Sequence, residues 1–323
     1  SYLHTNGKLD FSQIKKISSL FGLNTNLFKD INGTVNLVTP ISFDLDKQFK
    51  VKNLSYSTSG DIAYLEIHTD EKRIIKKYLP EYDPKIILKN TKIIFDNSKL
   101  NRTTNLAGFI KVGDKFEDFN IREKFNYSKQ SFDINGNIIL TNSKVKISKL
   151  NYNKDIGKEA GLSFDVNFVL NSYFNIQDLR YFDGATKINL SNIKLNKNFE
   201  LIDFEEARIK TFDDLVKNND FSINNSKKII ILGEVFDAQP LLKSLYKKDD
   251  KKTFSKDFFS KIKINFDKVL TGTNDDVSNF AMIASIKKGS YEKLSLKGNF
   301  SKDEIIEMSI YQIDKDKKTL QVI

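Results

Sequence analysis

Apolar and polar residues alternate one by one along most of this 323-residue chain. In "SFDINGNIILTNSKVKI", residues 131–147, apolar side chains recur at every second position, with Asp, Asn, Ser or Lys between most of them. Successive side chains of a β-strand point to opposite faces of the sheet, so this period marks strands with one buried and one solvated face. The pattern therefore predicts a mainly β chain of roughly sixteen antiparallel strands.

The same alternation predicts which residues share the apolar side of their strands. It recurs in "INGTVNLVTPISFDLDKQFKV", "TKINLSNIKLNKNFEL", "KIKINFDKV" and "NFAMIASIKKGSYEKLSLKGNF". The residues expected to line a shared apolar groove are Phe43, Leu45, Phe132, Ile134, Ile138, Leu140, Ile188, Leu190, Ile262, Ile264, Phe266, Phe280, Met282 and Ile286. Alternation fixes the apolar face of each strand, but it does not establish that the separate faces join.

Helix signals are few and short. They occur in the segments 10–22, 69–80, 174–184, 211–218 and 237–247. In the last of these, "GEVFDAQPLLKSL", a strand pattern runs directly into a short helix, with Asp237 as a cap and Pro240 in the first turn. Leu241, Leu242 and Leu245 fall on one side, so we expect an apolar plug that covers an edge or end of a groove. The alternative is a helix that fills the core between two sheets of a sandwich.

Composition favours a thin architecture. Hydrophobic residues make up 39% and charged residues 29%, which is too polar for a thick, many-layered core. A single sheet with one wet face gives this balance, whereas 26 Phe and regular alternation argue against disorder. Because no linker divides the chain, we expect a single elongated unit over 1–323. The chain opens at Ser1 and stops in a strand pattern, "TLQVI", so we interpret it as a fragment of a longer protein.

Residue types that carry catalysis or hold metals are scarce. The chain has no Cys, which excludes disulfides and Cys-based metal sites. His4 and His68 have no ligand neighbours at useful spacing, and the adjacent Glu205 and Glu206 would point to opposite faces of a strand. We therefore expect no enzyme activity, no metal and no cofactor. An enzyme or carbohydrate-binding β-protein is the alternative, and it would require a pocket with clustered carboxylates or aromatic residues.

The net charge of +10 raises the question of an anionic partner. The lysines are spread evenly and arginines are scarce, which argues against nucleic acid. An AT-rich genome accounts for the abundance of Lys, Asn, Ile and Phe equally well. No stretch approaches the roughly 20 apolar residues of a membrane-spanning helix, and the start "SYLHTNGKLD" is not a signal peptide.

The stretch "KKIIILGEVFDAQPLLKSL", with the later "KIKINFDKVLTGTNDDVSNFAMIASIKKGSYEKLSLKGNF", resembles the C-terminal portion of AsmA-like proteins. Within that family it is most similar to the YhdP-type and TamB-type bacterial bridge-like lipid transfer proteins. The resemblance covers about 225–313 in detail, and only the rhythm of strands further upstream. It implies an elongated, twisted antiparallel β-sheet curled into an apolar groove, with a few short helices.

The resemblance also implies a function in the cell envelope of a Gram-negative bacterium. The chain would be periplasmic, would carry phospholipids between the inner and outer membranes, and would be anchored to the inner membrane by a segment not present here. Its partners would be acyl chains, whose exposure to water costs about 0.8 kcal/mol per CH₂ group. The alternative is a non-catalytic scaffold for outer-membrane biogenesis, in which the chain's own Phe residues would fill the groove.

Overall fold

The computed structural model describes residues 2–10, 30–68, 73–83, 85–169, 172–197, 201–246, 260–273, 275–287, 290–300, 304–314 and 317–323. These residues hold 21 strands, two α-helices and one 3-10 turn, which confirms the mainly β prediction. The chain divides into two compact units. Unit 1 comprises Ser1–Lys146 and Lys154–Asn171, and unit 2 comprises Ile147–Asn153 and Ser172–Ile323.

Unit 1 is an antiparallel meander. Its strands are β1 (Tyr2–Asp10), β2 (Asp30–Leu45), β3 (Val51–His68), β4 (Lys85–Asn97), β5 (Asn101–Lys111), β6 (Phe116–Asn126), β7 (Ser131–Ile139) and β10 (Ala160–Val169). Strands β1 to β7 pair in chain order, and β10 then pairs with β7. The helix α1 (Arg73–Lys76) lies between β3 and β4.

A short hairpin lies between β7 and β10 in the chain, and its residues Ile147–Asn153 are grouped with unit 2. Its strands are β8 (Val145–Ile147) and β9 (Tyr152–Lys154), which pair with each other, and the 3-10 turn η1 (Ser148–Leu150) joins them. The turn ends at Asn151, whose left-handed conformation (φ 49°, ψ 44°) suits an Asn residue. The hairpin thereby places η1 in unit 2, where it becomes part of the candidate site.

Unit 2 is a mixed sheet. Its elements are β11 (Phe174–Asp183), β12 (Thr186–Leu195), β13 (Leu201–Asp203), β14 (Glu206–Asp213), β15 (Val216–Asn225), β16 (Ile229–Asp237), α2 (Gln239–Tyr246), β17 (Ser260–Leu270), β18 (Val277–Lys287), β19 (Ser290–Asn299), β20 (Ile305–Asp314) and β21 (Lys317–Val322). Strands β13 and β14 both pair with β12, and the remaining strands pair in chain order.

The pairing of β16 with β17 is parallel, an exception within the mostly antiparallel sheet that the sequence predicts. Parallel neighbours need a crossover connection of about a dozen residues or more, often a helix. Strand β16 ends at Asp237, and β17 starts at Ser260 beside the start of β16, because Ile262 is the partner of Ile229 in the register. Helix α2 opens this connection. The need for a crossover therefore explains why β16 is followed directly by the short helix α2.

Of the five predicted helical segments, two contain a helix, two do not, and one lies almost wholly outside the described residues. The segment 237–247 contains α2, and the segment 69–80 contains the single turn of α1. The prediction at 10–22 lies outside the described residues except for Asp10, which ends β1. The predictions at 174–184 and 211–218 are wrong, because the first is β11 and the second contains the turn between β14 and β15.

The error at β11 has a local cause. Its apolar residues change phase between Ile176 and Leu179, and this three-residue step resembles helical spacing. The partner strand β12 holds Asn192 in the left-handed region (φ 50°), between the residues that face Ile176 and Asp178. Pairing with β12 thus overrides the local signal.

Candidate functional site

One row of apolar residues crosses ten strands of unit 2 without interruption. Each member lies directly opposite the next in the register of the sheet. In strand order the row is Leu179, Leu190, Ala207, Ile223, Ile231, Ile264, Met282, Leu296, Met308 and Val322. Nine spacings of about 4.8 Å between neighbouring strands make this unit 2 apolar row about 43 Å long.

Two shorter rows flank it and widen the apolar face. One contains Ile229, Ile262, Ala284, Leu294, Ile310 and Leu320, and the other contains Ile188, Ile209, Phe221, Gly233, Phe266 and Phe280. Ile229, Ile262 and Ile286 are buried, while Ile264 and Met282 of the central row are only half-buried. The central row is thus partly accessible, and at its last strand, β21, Val322 is 59% exposed.

The opposite face of unit 2 is mostly polar. A shallow depression there is lined by Asp178, Arg180, Asn189, Ser191, Glu206 and Arg208. In the register, Ser191 of β12 lies between Asp178 of β11 and Glu206 of β14. The backbones of the two acidic residues are therefore two strand spacings, or about 10 Å, apart. Asp178 also pairs with Arg180 at 3.0 Å. The depression therefore holds no closely paired carboxylates, and the described residues contain no cluster suited to a metal.

A buried polar cluster closes one end of the unit 2 apolar face. The Asn219 side chain donates to the carbonyl of Leu150 in η1 (2.8 Å), and its Oδ1 accepts from the amide of Asp237 (3.0 Å). Asn218 also donates to the Leu150 carbonyl (3.1 Å), and Asn151 donates to Asp237 (2.9 Å). These bonds hold η1 over the sheet. Sequence reasoning missed the cluster because the segment 211–218, which ends at Asn218, was assigned to a short helix.

Two tyrosines extend this closure. The Tyr152 hydroxyl donates to Asp183 (2.6 Å) and lies 2.8 Å from the hydroxyl of Tyr181, which faces Ile188 in the register. Burial raises the pKa of both hydroxyls above its ordinary value, and in Tyr152 the bond to Asp183 raises it further. Both tyrosines therefore stay protonated at neutral pH and serve as buried hydrogen-bond donors.

The prediction that a helix starts after Asp237 is confirmed. The prediction that this helix, at 237–247, forms an apolar plug is wrong. Asp237 Oδ1 accepts from the amide of Gln239 (3.0 Å), and Pro240 lies in the first turn. Leu241 and Leu242, however, are 51% and 36% exposed. The Leu245 side chain lies outside the described part of the structure. The closure comes instead from η1, which α2 contacts.

The apolar face of unit 1 contains a comparable row across seven strands. It runs through Leu37, Gly60, Ile93, Leu106, Ile121, Gly136 and Phe164. A Cβ atom on Gly136 would lie 2.4 Å from the Asn120 carbonyl oxygen, so the neighbouring strand leaves no room for a side chain there. Two rows closer to the turns β4–β5 and β6–β7 are mixed and carry polar residues on the same face.

One ion pair lies within these mixed rows. Arg102 Nη2 is 2.6 Å from Glu123 Oε1, and the Thr104 hydroxyl donates to Glu123 Oε2 (2.7 Å). The guanidinium carbon is 5.3 Å from the ring centre of Phe125 and 5.8 Å from that of Phe132. Arg102 and Glu123 are 28% and 18% exposed, so both charges are largely removed from water.

The other end of the unit 1 face is closed by the segment that follows β7. Glu117, 2% exposed, accepts from the amide of Asn142 and from the hydroxyl of Ser143, both at 2.7 Å. The buried Lys154 donates to the carbonyls of Leu140 and Ser143. Leu140, predicted to line the groove, is therefore buried within this closing segment. Unit 1, like unit 2, has one closed end.

The structure groups most of the predicted groove residues within their own unit. In unit 1, Phe132, Ile134 and Ile138 share the apolar face. In unit 2, the residues on one face are Ile188, Leu190, Ile262, Ile264, Phe266, Phe280, Met282 and Ile286. These positions follow the predicted alternation.

Phe43 and Leu45 are the exceptions, with exposures of 43% and 53%. Strand β1 reaches only to the partner position of Pro40, and β4 ends opposite Tyr56. Among the residues that the structure describes, the outer part of the β2–β3 hairpin therefore has no further strand beside it. The structure therefore does not group Phe43 and Leu45 with the other predicted groove residues, because alternation does not reveal where the neighbouring strands end.

Comparisons with known proteins assign no family to this chain: no family model, curated protein or solved structure matches it. Among the described residues, no helix is both long and apolar enough to cross a membrane. The resemblance to AsmA-like proteins therefore stays a prediction, and the functional argument depends on the faces themselves.

Proposed function

We propose that this chain is part of a periplasmic, lipid-conducting β-groove that moves phospholipids between the inner and outer membranes of a Gram-negative bacterium. The observation that carries the proposal is the unit 2 apolar row, which is unbroken over ten strands. At about 43 Å, it exceeds the roughly 15 Å that one acyl chain spans in half of a 30 Å bilayer core.

The composition of the row supports an acyl-chain ligand. Every CH₂ group that leaves water for an apolar surface gains about 0.8 kcal/mol. The row contains no Phe and no charged residue, and Ile231, Ile264 and Met282 are only half-buried. A partly accessible apolar row suits a ligand that is apolar along its length, while a phospholipid head group stays in water.

A scaffold for outer-membrane biogenesis is the second candidate. The observation in its favour is an aromatic cluster beside the row, in which the rings of Phe221, Phe236 and Phe266 lie 5.2–5.8 Å apart. Phe221 and Phe266 are buried, so at this side the chain fills its own apolar face. In a scaffold the remaining face would be structural core and would capture no lipid.

A matched pair of substitutions tests the proposal. Met282 lies in the row, and its chain neighbour Ile283 lies on the opposite face with 65% exposure. A photoreactive residue at Leu296, directly opposite Met282, reports lipid taken from phospholipid vesicles. We expect Met282→Asp to lower crosslinking at least about tenfold, or about 1.4 kcal/mol, because it places an unpaired charge on the row.

Ile283→Asp is the control, and crosslinking should stay within about twofold of the unsubstituted protein because its charge enters water. Circular dichroism establishes that each variant keeps its strands. Equal crosslinking in folded Met282→Asp would contradict a conducting row. If the unsubstituted protein captures no lipid at any position of the row, the scaffold is the better function.

A further inference from the structure

The ion pair of unit 1 lies at the end of the apolar face opposite the segment that follows β7. Arg102 is the second residue of β5 and follows the turn at 98–100. Its neighbours across the sheet are Asn97 on β4 and Phe125 on β6, which precedes the turn at 127–130. The closed end, at Glu117, lies at the other end of the same strands. A ligand that enters from the turns meets Tyr127, whose hydroxyl donates to Asn97 and whose ring contacts Phe125, and then Arg102.

Apolar and aromatic residues surround the guanidinium. Phe125, Phe132 and Phe168 form a stack across three strands, with ring centres 4.5 and 4.7 Å apart. Arg102 lies over the first two of these rings. A planar guanidinium on an aromatic face keeps its N–H donors directed to the sides, where they are available to an oxyanion.

The pairing with Glu123 leaves donors of Arg102 unused. Arg102 donates to Glu123 through Nη2, and the second oxygen of Glu123 accepts from the Thr104 hydroxyl. The Nε–H of Arg102 is buried and has no hydrogen-bond partner among the residues that the structure describes. A buried donor without a partner is unfavourable. Because the Arg102 side chain as a whole is 28% exposed, a phosphate or carboxylate oxygen can reach the guanidinium, and a small shift of the side chain then lets it accept from Nε–H as well.

We propose that Arg102 binds the anionic head group of an amphiphile whose alkyl chain extends along the unit 1 row, past Leu106 and Ile121. This inference rests on the proposed lipid-binding function and adds a ligand class to it: a phosphate or carboxylate joined to a long alkyl chain. Leu106 and Ile121 face each other on the same side of the sheet as Arg102, farther from the turns. Glu123 competes with the ligand for Arg102 and moderates its affinity.

Two lipids that differ only in the head group test the inference. Lysophosphatidic acid carries a phosphate, and a monoacylglycerol with the same acyl chain carries none. Isothermal titration of the full chain should show at least about tenfold tighter binding of lysophosphatidic acid, as expected for a charge-assisted contact. Arg102→Gln should reduce this preference to less than about twofold and leave monoacylglycerol binding unchanged.

Arg122→Gln is the matched control, because Arg122 lies on the opposite face of β6 and is exposed. It should keep the full preference. Glu123→Gln should increase the affinity for lysophosphatidic acid, since it removes the competing carboxylate. The double variant Arg102→Gln/Glu123→Gln leaves no unpaired charge, so it supplies a folded protein without the preference even if Arg102→Gln alone does not fold.

Four results would overturn the inference. Equal affinity of the unsubstituted protein for the two lipids removes the role of Arg102, although lipid binding itself survives. Weaker lysophosphatidic acid binding by Glu123→Gln would instead indicate a zwitterionic head group held by both charges. Displacement by equimolar inorganic phosphate would indicate a site for the free anion. If neither lipid binds, the proposed function fails together with the inference.

Discussion

The apolar faces of the two units are built alike and differ in what interrupts them. Unit 2 carries a row of ten apolar residues in register, from Leu179 to Val322. Unit 1 carries a shorter row of seven, and beside it the face includes Arg102 and Glu123. Strands of both units alternate between an apolar and a polar face. An Arg or a Glu can nevertheless occupy a position on the apolar face when each has a charged partner. Regular alternation therefore does not guarantee an uncharged surface.

The two units also close one end of the face by the same means. In unit 1, Glu117 accepts hydrogen bonds from Asn142 and Ser143 of the segment after β7. In unit 2, Asn219 bonds to the Leu150 carbonyl of η1. In both cases a buried polar side chain satisfies groups of an irregular segment, which could not otherwise be buried at low cost. The closures differ in sequence but solve one physical problem.

The largest expected effect concerns the dependence of unit 2 on its apolar face. Ile286 is 1% exposed and belongs to the buried cluster of this unit. Ile286→Ala should lower the free energy of unfolding by about 2–5 kcal/mol, because it removes buried methyl groups and leaves a cavity. Urea unfolding followed by circular dichroism measures the change. Ile283→Ala, on the exposed face, should stay within about 0.5 kcal/mol, and an equal loss in both variants would contradict the assignment of the faces.

A smaller effect tests whether unit 1 needs its ion pair. Arg102→Leu should lower the free energy of unfolding by up to about 3 kcal/mol, because Glu123 is left as a largely buried, unpaired charge. The double variant Arg102→Leu/Glu123→Leu should recover most of this loss, since apolar residues of similar volume replace a buried pair without a net penalty. Recovery would show that the pair does not stabilise unit 1, as a role in ligand binding requires. A double variant as unstable as the single one would make the pair structural.

The smallest effect concerns a charged cluster on the polar side of unit 1. Hydrogen bonds from Tyr64 and His68, together with Lys85, lower the pKa of Glu66 from about 4.5 to about 2. The folded state therefore favours the carboxylate, and its contribution to stability is complete above about pH 4.5 and lost as the pH falls towards about 2. Glu66→Gln should remove this dependence. Thermal unfolding of both proteins between pH 7 and 2 measures it, and parallel curves would contradict the assigned shift.

The local sequence predicts the faces of many strands in unit 2, but it predicts fewer of the contacts that close the ends of the apolar faces. The faces of β17 and β18 follow directly from "KIKINF" and "FAMIASI", because one-residue alternation is a property of the strand itself. The capping contact of Asp237 was also predictable from its position before a helix. The contacts of Asn218, Asn219 and Asn151 were not, since they join segments more than 60 residues apart.

The sequence by itself determined the strand-rich fold and the apolar side of most strands, because backbone geometry gives successive side chains opposite directions. Only the tertiary structure decided the parallel pairing of β16 with β17, the exposure of Leu241 and the isolation of Phe43 beyond the neighbouring strands. It also decided that the apolar residues of unit 2 meet in one row. Register, strand order and strand ends depend on contacts between distant segments, and such contacts leave no local pattern in a single chain.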